Sequence, residues 1–114
     1  MNEELTPESR YVSVELKPEK EISIGQTGFG INLYAGDMQP RNGTFDVYWN
    51  DSRITCQSTV VASCCERNAG GGCGIHGDAN FQILNVVPQN GRLSWRVSID
   101  WRTPLHYRMH IIVF

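Results

Sequence analysis

The chain has 114 residues, of which 40% are hydrophobic and 19% charged, a composition typical of one folded domain and not of a disordered chain. Its formal net charge of -2 is too small to predict binding to nucleic acid or to a membrane surface. No apolar run approaches the length of a membrane-spanning helix, so the sequence predicts no membrane span.

Charge is unevenly distributed along the chain. Residues 1–40 hold seven acids and three bases, whereas residues 41–114 hold five acids and seven bases, and those seven bases are arginines. The planar guanidinium group suits bidentate recognition of carboxylates, phosphates and vicinal hydroxyls. The second part of the chain is therefore where we expect a polar ligand to bind, with an ordinary solvated sheet face as the alternative.

Residues 1–10 predict an extended N-terminal arm, and residues 11–114 predict a single domain. Alternating and β-branched segments, separated by turns with proline, glycine or asparagine, predict strands in the domain. In chain order these strands are Tyr11–Leu16, Glu21–Gly25, Phe29–Tyr34, Thr44–Trp49, Arg53–Val61, Asn80–Val87, Leu93–Arg102 and Leu105–Val113. Asn50-Asp51-Ser52 predicts a tight turn that joins the fourth and fifth strands as a hairpin. Residues 64–79 are predicted to be irregular, and Pro88-Gln89-Asn90-Gly91 to form a turn.

About eight short strands, with no segment of 3.6-residue apolar period, predict an all-β fold. The architecture they favour is an antiparallel β-sandwich of jelly-roll-like type, or a closely related barrel. In the fourth strand, the alternation predicts that Phe45, Val47 and Trp49 face the core.

The last twenty-two residues alternate most strictly. Their apolar positions are Leu93, Trp95, Val97, Ile99 and Trp101, then Leu105, Tyr107, Met109, Ile111 and Val113. Paired as a hairpin, these two strands would bury one face and gather cationic and hydrogen-bonding side chains on the other. The residues predicted to bind the ligand are Arg96, Asp100, Trp101, Arg102, His106, Arg108 and His110. Among them a tryptophan beside a turn is the candidate for stacking on a ligand ring.

The four cysteines leave three states open. Cys56 and Cys73 could each form a disulfide with one of the adjacent pair Cys64 and Cys65, because adjacent cysteines do not normally bridge each other. A zinc site would use Cys64 or Cys65 with Cys73 and His76, but only Cys73 and His76 have the usual short spacing. Free thiols are the third state. Bridged cysteines would indicate an extracellular or surface-exposed protein and free ones a cytoplasmic protein. The acidic N-terminus lacks the basic and apolar regions of a secretion signal.

A family resemblance adds to this interpretation. The segments Leu16-Lys17-Pro18-Glu19, Ile22-Ser23-Ile24-Gly25 and Phe29-Gly30-Ile31-Asn32-Leu33, followed by Gly36, resemble the N-terminal strands of galectins. Residues 44–51, 80–87 and 101–105 follow in an order that fits later strands of that family. The resemblance implies a jelly-roll-like sandwich of two sheets that binds β-galactosides. The family's His-x-Asn-x-Arg strand is absent, and Cys65-Glu66-Arg67 has its charged pair without its tryptophan, so no sugar-binding residue is carried over.

The chemistry-bearing residues favour binding over catalysis. Cys73 and His76 have no evident third residue to orient them, and neither a catalytic carboxylate pair nor a nucleophile elbow is present in the sequence. We therefore expect no enzyme activity, no cofactor and no metal. The sequence predicts a binding module for a polar ligand, with carbohydrate favoured. The alternative is a structural or assembly subunit of a capsid, filament or appendage. In that alternative the N-terminal arm contacts a copy of the chain in a homo-oligomer.

Overall fold

The structure is a computed structural model that describes residues 10–23, 30–36, 38–70 and 73–114. Within these residues the fold is all-β without a helix, which confirms the predicted class, and eight strands form two sheets of four. The strands are β1 (Ser13–Glu15), β2 (Lys20–Ser23), β3 (Ile31–Ala35), β4 (Gly43–Asn50), β5 (Val60–Glu66), β6 (Asn80–Gln89), β7 (Arg92–Asp100) and β8 (Tyr107–Val113). The described part of the chain has no helix of the length and apolarity that crossing a membrane requires.

The first sheet has the strand order β1-β4-β7-β6. β6 and β7 form a hairpin, and its turn contains Gly91 with φ at 86°, a left-handed conformation that favours glycine. β4 pairs antiparallel with β7 along its whole length. β1 runs parallel to β4, so this edge pair departs from the antiparallel arrangement that the sequence predicts.

The second sheet has the strand order β2-β3-β8-β5, and its neighbouring strands are antiparallel. Its register places Lys20, Tyr34, His110 and Ser63 in one row across the four strands. Neighbouring strands in a sheet lie about 4.8 Å apart, so side chains in such a row are close enough to contact one another.

Apolar residues from one face of each sheet form one buried cluster. Burial alternates strictly along β3, β4, β7 and β8, as the alternating apolar residues require. The ring centroids of Phe45 in the first sheet and Tyr107 in the second lie 5.6 Å apart, so the two buried faces are in contact. The predicted inward direction of Phe45, Val47 and Trp49 is confirmed.

The predicted hairpin between the last two strands is wrong. β7 lies in the first sheet beside β4 and β6, whereas β8 lies in the second sheet between β3 and β5. The connection passes through Leu105, which forms an isolated bridge with Arg41. Alternation determines which side chains of a strand are buried, but it does not determine the neighbouring strand. Both strands bury their apolar residues in the shared core without pairing with each other.

The predicted hairpin between the fourth and fifth strands is also wrong. Residues 51–59 contain no strand, and β5 begins at Val60 in the other sheet. The Asp51 carboxylate accepts a hydrogen bond from the backbone N–H of Arg53 at 2.8 Å. Ile54 is buried, and its carbonyl accepts a hydrogen bond from Gly91 N at 2.9 Å. These contacts hold the segment against the β6–β7 turn while the chain passes to the second sheet.

Two element boundaries differ from the prediction for local reasons. Residues 64–66 complete β5 and are not irregular, and Arg67 then forms an isolated bridge with Gly74. Pro88 lies within β6 opposite Leu93 and not in a turn. Because β6 is an edge strand of the first sheet, a residue without a backbone N–H is tolerated there.

The predicted N-terminal arm lies outside the described residues, apart from Arg10. β1 is shorter than the predicted strand Tyr11–Leu16, but its flanks are also bonded to β4. Asp46 N donates to the Val12 carbonyl at 2.8 Å, and Leu16 N donates to the Tyr48 carbonyl at 2.7 Å. Residues 24–29, which contain parts of two predicted strands, also lie outside the described residues.

Candidate binding surfaces

The structure divides the predicted ligand-binding residues between two surfaces, because β7 and β8 belong to different sheets. Their places are Arg96 and Asp100 on β7, Trp101, Arg102 and His106 in the connection, and Arg108 and His110 on β8. The polar residues of each strand alternate with core residues, so the two sets point outward from opposite sheets. They do not form the single cationic surface that the sequence predicts.

Arg96 is engaged by neighbours on the first sheet. Its Nε donates to the Asp46 carboxylate at 2.7 Å, and its guanidinium carbon lies 4.6 Å from the ring centroid of Tyr11. The hydrogen bond to Asp46 raises the pKa of Arg96. Asp46 and Arg96 are directly opposite each other in the β4–β7 register, which accounts for the ion pair. The charge of Arg96 is therefore neutralised within the protein.

A cavity of about 330 Å³ opens at one end of the first sheet. We call it the first-sheet pocket, and its lining residues are Gly43, Thr44, Asn80, Gln82, Ser98, Ile99, Asp100 and Trp101. The lining combines hydroxyl, amide and carboxylate groups with one indole ring. Two of the predicted ligand-binding residues, Asp100 and Trp101, belong to it.

Strand register brings the polar lining together from distant parts of the sequence. Thr44 on β4 is opposite Ser98 on β7, and Ser98 is opposite Gln82 on β6. The next polar pair along β6 and β7 is Asn80 with Asp100. The Thr44 and Ser98 hydroxyl oxygens lie 3.4 Å apart, a long hydrogen bond that leaves both groups capacity for a ligand.

Trp101 is held at the side of the first-sheet pocket by its backbone. Its N–H donates to the Ile99 carbonyl at 2.9 Å, and its own carbonyl accepts from the Asn42 side-chain amide at 3.0 Å. The indole is half-buried, since it packs partly against the core. The guanidinium carbon of Arg102 lies 5.6 Å from the indole centroid. This arrangement fixes an aromatic ring beside the polar lining.

His106 has a mainly structural setting. Its carbonyl accepts a hydrogen bond from Arg67 N at 3.0 Å, which ties the start of β8 to the end of β5. Its Nδ1 is buried without a hydrogen-bond partner. Arg108 and His110 lie further along the strand on the outward face of the second sheet.

All four cysteines have free thiols in the structure, so the disulfides considered from the sequence are not formed. Cys56 and Cys73 are exposed, whereas Cys64 and Cys65 are half-buried on β5. Burial, with a smaller effect of Cys65, raises the pKa of Cys64 to about 11. The described residues contain no group of three or more histidine, cysteine, aspartate or glutamate residues that could hold a metal ion.

Sequence reasoning missed the contributions of Thr44, Asn80, Gln82 and Ser98 to the first-sheet pocket. The alternation places Thr44 and Ser98 outward, but outward polar residues are common on any solvated sheet. Their convergence depends on a register that joins residues far apart in the sequence. A prediction of the β4–β7–β6 pairing would have been needed to find them.

Comparison with models of known protein families, with curated proteins and with solved structures finds no match for the chain.

Proposed function

We propose that the protein is a non-enzymatic binding module and that the first-sheet pocket takes a saccharide. The observation that carries this proposal is the composition of the pocket: hydroxyl, amide and carboxylate side chains from three adjacent strands line it together with one fixed tryptophan. Ligand sites commonly join an apolar surface to a few convergent polar groups that orient the ligand.

The lining matches the chemistry of a sugar ring. The Asp100 carboxylate accepts hydrogen bonds from sugar hydroxyls, and the amides of Asn80 and Gln82 both donate and accept. The indole of Trp101 offers an apolar face to the C–H groups of the ring, with its N–H at the polar rim. The volume of about 330 Å³ is suited to one or two sugar rings, not to a long polymer segment enclosed on all sides.

The same lining supports binding without hydrolysis. Among the described residues of the pocket, Asp100 provides the only carboxylate. Most enzymes that cleave glycosidic bonds use two carboxyl groups placed on either side of the bond.

The finer architecture belongs to this proposal. We infer that the two sheets stack as a β-sandwich, which the shared apolar cluster and the contact between Phe45 and Tyr107 support. Such a stack leaves the outward face of each sheet for ligands. The jelly-roll connection and the relation to galectins stay predictions.

A glycan array probed with the labelled protein tests the proposal. Asp100→Asn and Gln82→Ala are expected to weaken binding to the glycans that score positive by about tenfold, because each removes a hydrogen-bonding partner of the sugar. Gln89→Ala is the matched control, since it removes an exposed amide from the same strand outside the pocket. An array without positive glycans, or equal losses in Gln82→Ala and Gln89→Ala, would overturn the proposal.

The assembly alternative stays a prediction, because its N-terminal arm lies outside the described residues. Light scattering of the full chain against a variant that starts at Tyr11 tests it. A change from oligomer to monomer would support assembly through the arm, and a monomer in both cases would exclude it.

A further inference from the structure

The outward face of the second sheet carries basic side chains and a histidine at its described positions. We call it the second-sheet face, and its described positions are Lys20, Asn32, Tyr34, Val61, Ser63, Cys65, Arg108, His110 and Ile112. The described positions include two permanent cations and a histidine but no carboxylate. The Glu19 carboxylate nearby accepts a hydrogen bond from Gly36 N at 3.1 Å.

A cavity of about 390 Å³ lies on this face and is lined by Lys20, Asn32, Tyr34 and His110. The register explains the lining, because Lys20, Tyr34 and His110 occupy one row on β2, β3 and β8. Asn32 precedes Tyr34 by two residues on β3 and therefore points the same way. The cavity is thus built from three strands and not from a loop.

Two of the lining residues, Tyr34 and His110, have rings in contact with each other. The centroids of Tyr34 and His110 are 4.8 Å apart and their planes are tilted by 44°. Gly36 allows this position, since a Cβ there would overlap the Tyr34 ring. The two inclined rings offer aromatic surface against which the apolar side of a sugar ring can pack.

Arg108 brings a second permanent charge to the second-sheet face, on the strand that carries His110. It follows the outward alternation of β8 two residues before His110, about 6.8 Å along the strand. Although burial lowers the pKa of Arg108, hydrogen bonds to Cys65 and Tyr34 raise it on balance. The guanidinium therefore stays charged on this face.

Asn32 supplies an unused acceptor. Its Oδ1 is buried and has no hydrogen-bond partner in the structure. Buried polar atoms are usually satisfied, so an unsatisfied acceptor on a residue that lines a cavity is a point at which a ligand or a water molecule can donate a hydrogen bond. A sugar hydroxyl is such a donor, whereas a bare inorganic oxyanion is not.

The geometry points to a second binding site on this face that takes an acidic saccharide, a sugar bearing a sulfate ester or a carboxylate. Lys20 and Arg108 would hold the anionic group by charge-assisted hydrogen bonds. Asn32 would accept from a ring hydroxyl, and Tyr34 with His110 would support the apolar side of the ring. This site is independent of the first-sheet pocket, because it lies on the other sheet. It also provides cations for an anionic ligand, whereas the first-sheet pocket provides a carboxylate.

Fluorescence anisotropy with labelled dextran sulfate and labelled polygalacturonate tests the proposal, with uncharged dextran and polyphosphate as comparison probes. We expect at least one acidic saccharide to bind. Binding of dextran sulfate alone assigns a sulfate ester, and binding of polygalacturonate alone assigns a carboxylate. Uncharged dextran should bind far more weakly than the acidic probe. Failure of both acidic probes, or equal binding of uncharged dextran, would overturn the proposal.

Matched variants identify the face that binds. Lys20→Gln and Arg108→Gln are expected to weaken binding by about tenfold each, because a charge-assisted hydrogen bond is lost. Lys17→Gln and Arg102→Gln remove exposed charges of the same types elsewhere and should change binding by less than about twofold. Equal losses in the two sets would show attraction to overall charge and would contradict the site.

Asn32→Asp is the sharpest single variant, since it replaces the amide by a carboxylate of nearly the same shape. It should abolish binding of the acidic saccharide by like-charge repulsion, while far-UV circular dichroism and the thermal midpoint report whether the fold is kept.

Asn32→Ala tests the hydrogen bond from the sugar hydroxyl. It should weaken binding of the acidic saccharide but leave binding of polyphosphate unchanged. Equal effects of Asn32→Ala on the two probes would contradict the role given to the sugar hydroxyl. Asp100→Asn, which changes the first-sheet pocket, should leave binding of the acidic saccharide unchanged. The experiments therefore distinguish a failure of the proposed first-sheet site from a failure of the site on the second-sheet face.

Discussion

The outward faces of the two sheets have similar alternating sequences but different electrostatics. On the first sheet, Arg96 pairs with Asp46, and Arg92 donates to Asn50 at 2.8 Å while its guanidinium lies 4.4 Å from the Tyr48 ring centroid. On the second sheet, the described outward positions provide no carboxylate beside Lys20 or Arg108. The difference shows that strand register, which places Asp46 opposite Arg96, decides whether an arginine on a sheet face is paired with a carboxylate.

The largest expected effect comes from the core that both faces share. Ile111→Ala removes a fully buried side chain and is expected to lower the free energy of unfolding by about 2–5 kcal/mol. Ile112→Ala changes the adjacent residue, which points outward on the same strand, and should cost less than about 1 kcal/mol. Urea denaturation of both variants measures the difference. Similar losses would contradict the assignment of inward and outward faces on β8.

Alkaline pH should lower the free energy of unfolding, because the buried Cys64 thiol and Tyr107 hydroxyl keep their protons in the folded chain. Burial raises the pKa of Cys64 to about 11 and that of Tyr107 to about 12, so the folded chain keeps protons that the unfolded chain has released. The contribution of these groups to the free energy of unfolding is therefore fully present below their ordinary pKa values. It decreases as pH rises from the ordinary to the raised pKa values, by at most about 1.4 kcal/mol per pH unit for each group.

Urea denaturation at pH 8 and at pH 10 measures this loss. Cys64→Ala should reduce the dependence on pH, whereas Cys56→Ala, which changes an exposed thiol, should leave it unaltered. A stability that stays constant or rises between these pH values would contradict the burial of Cys64.

A smaller effect is expected when the outward face of the first sheet is given an arginine without a paired carboxylate, as on the second-sheet face. Asp46→Asn removes the carboxylate opposite Arg96, so the first face should gain weak binding to dextran sulfate. The thermal midpoint should fall by less than it does in Ile111→Ala, because the ion pair is partly exposed. Fluorescence anisotropy at low salt measures the gain. Unchanged binding would show that available charge alone does not account for the contrast between the faces.

The smallest expected change concerns an unsatisfied hydroxyl in the core. Tyr107 is fully buried, and its Oη has no hydrogen-bond partner. Tyr107→Phe removes the hydroxyl and keeps the ring, so it should leave stability unchanged or raise it by up to about 1 kcal/mol. Differential scanning calorimetry measures the shift. A clear loss of stability would mean that the hydroxyl makes a contact in solution that stabilises the fold.

The sequence predicts which segments of this protein form strands better than it predicts which strands pair with each other. Alternation identifies β4, β7 and β8 and the core residues on them, because burial of one face is a local property of a strand. It does not show that β7 and β8 lie in different sheets, since that depends on pairing with strands far away in the chain. The same limit applies to the sites. Trp101 is recognisable as a ring beside a turn, but the convergence of Thr44 with Gln82 depends on register.

The central claim is that the two faces bind different ligands at separate sites. The most direct test is a set of ¹⁵N–¹H NMR spectra of the full chain, titrated with sulfated or carboxylated oligosaccharides and then with a neutral glycan selected on the array. We predict that the acidic ligand shifts the signals of Asn32, Tyr34 and His110, and that the neutral glycan shifts those of Thr44, Gln82 and Ser98. Shifts of one common set of signals by both ligands would contradict the account.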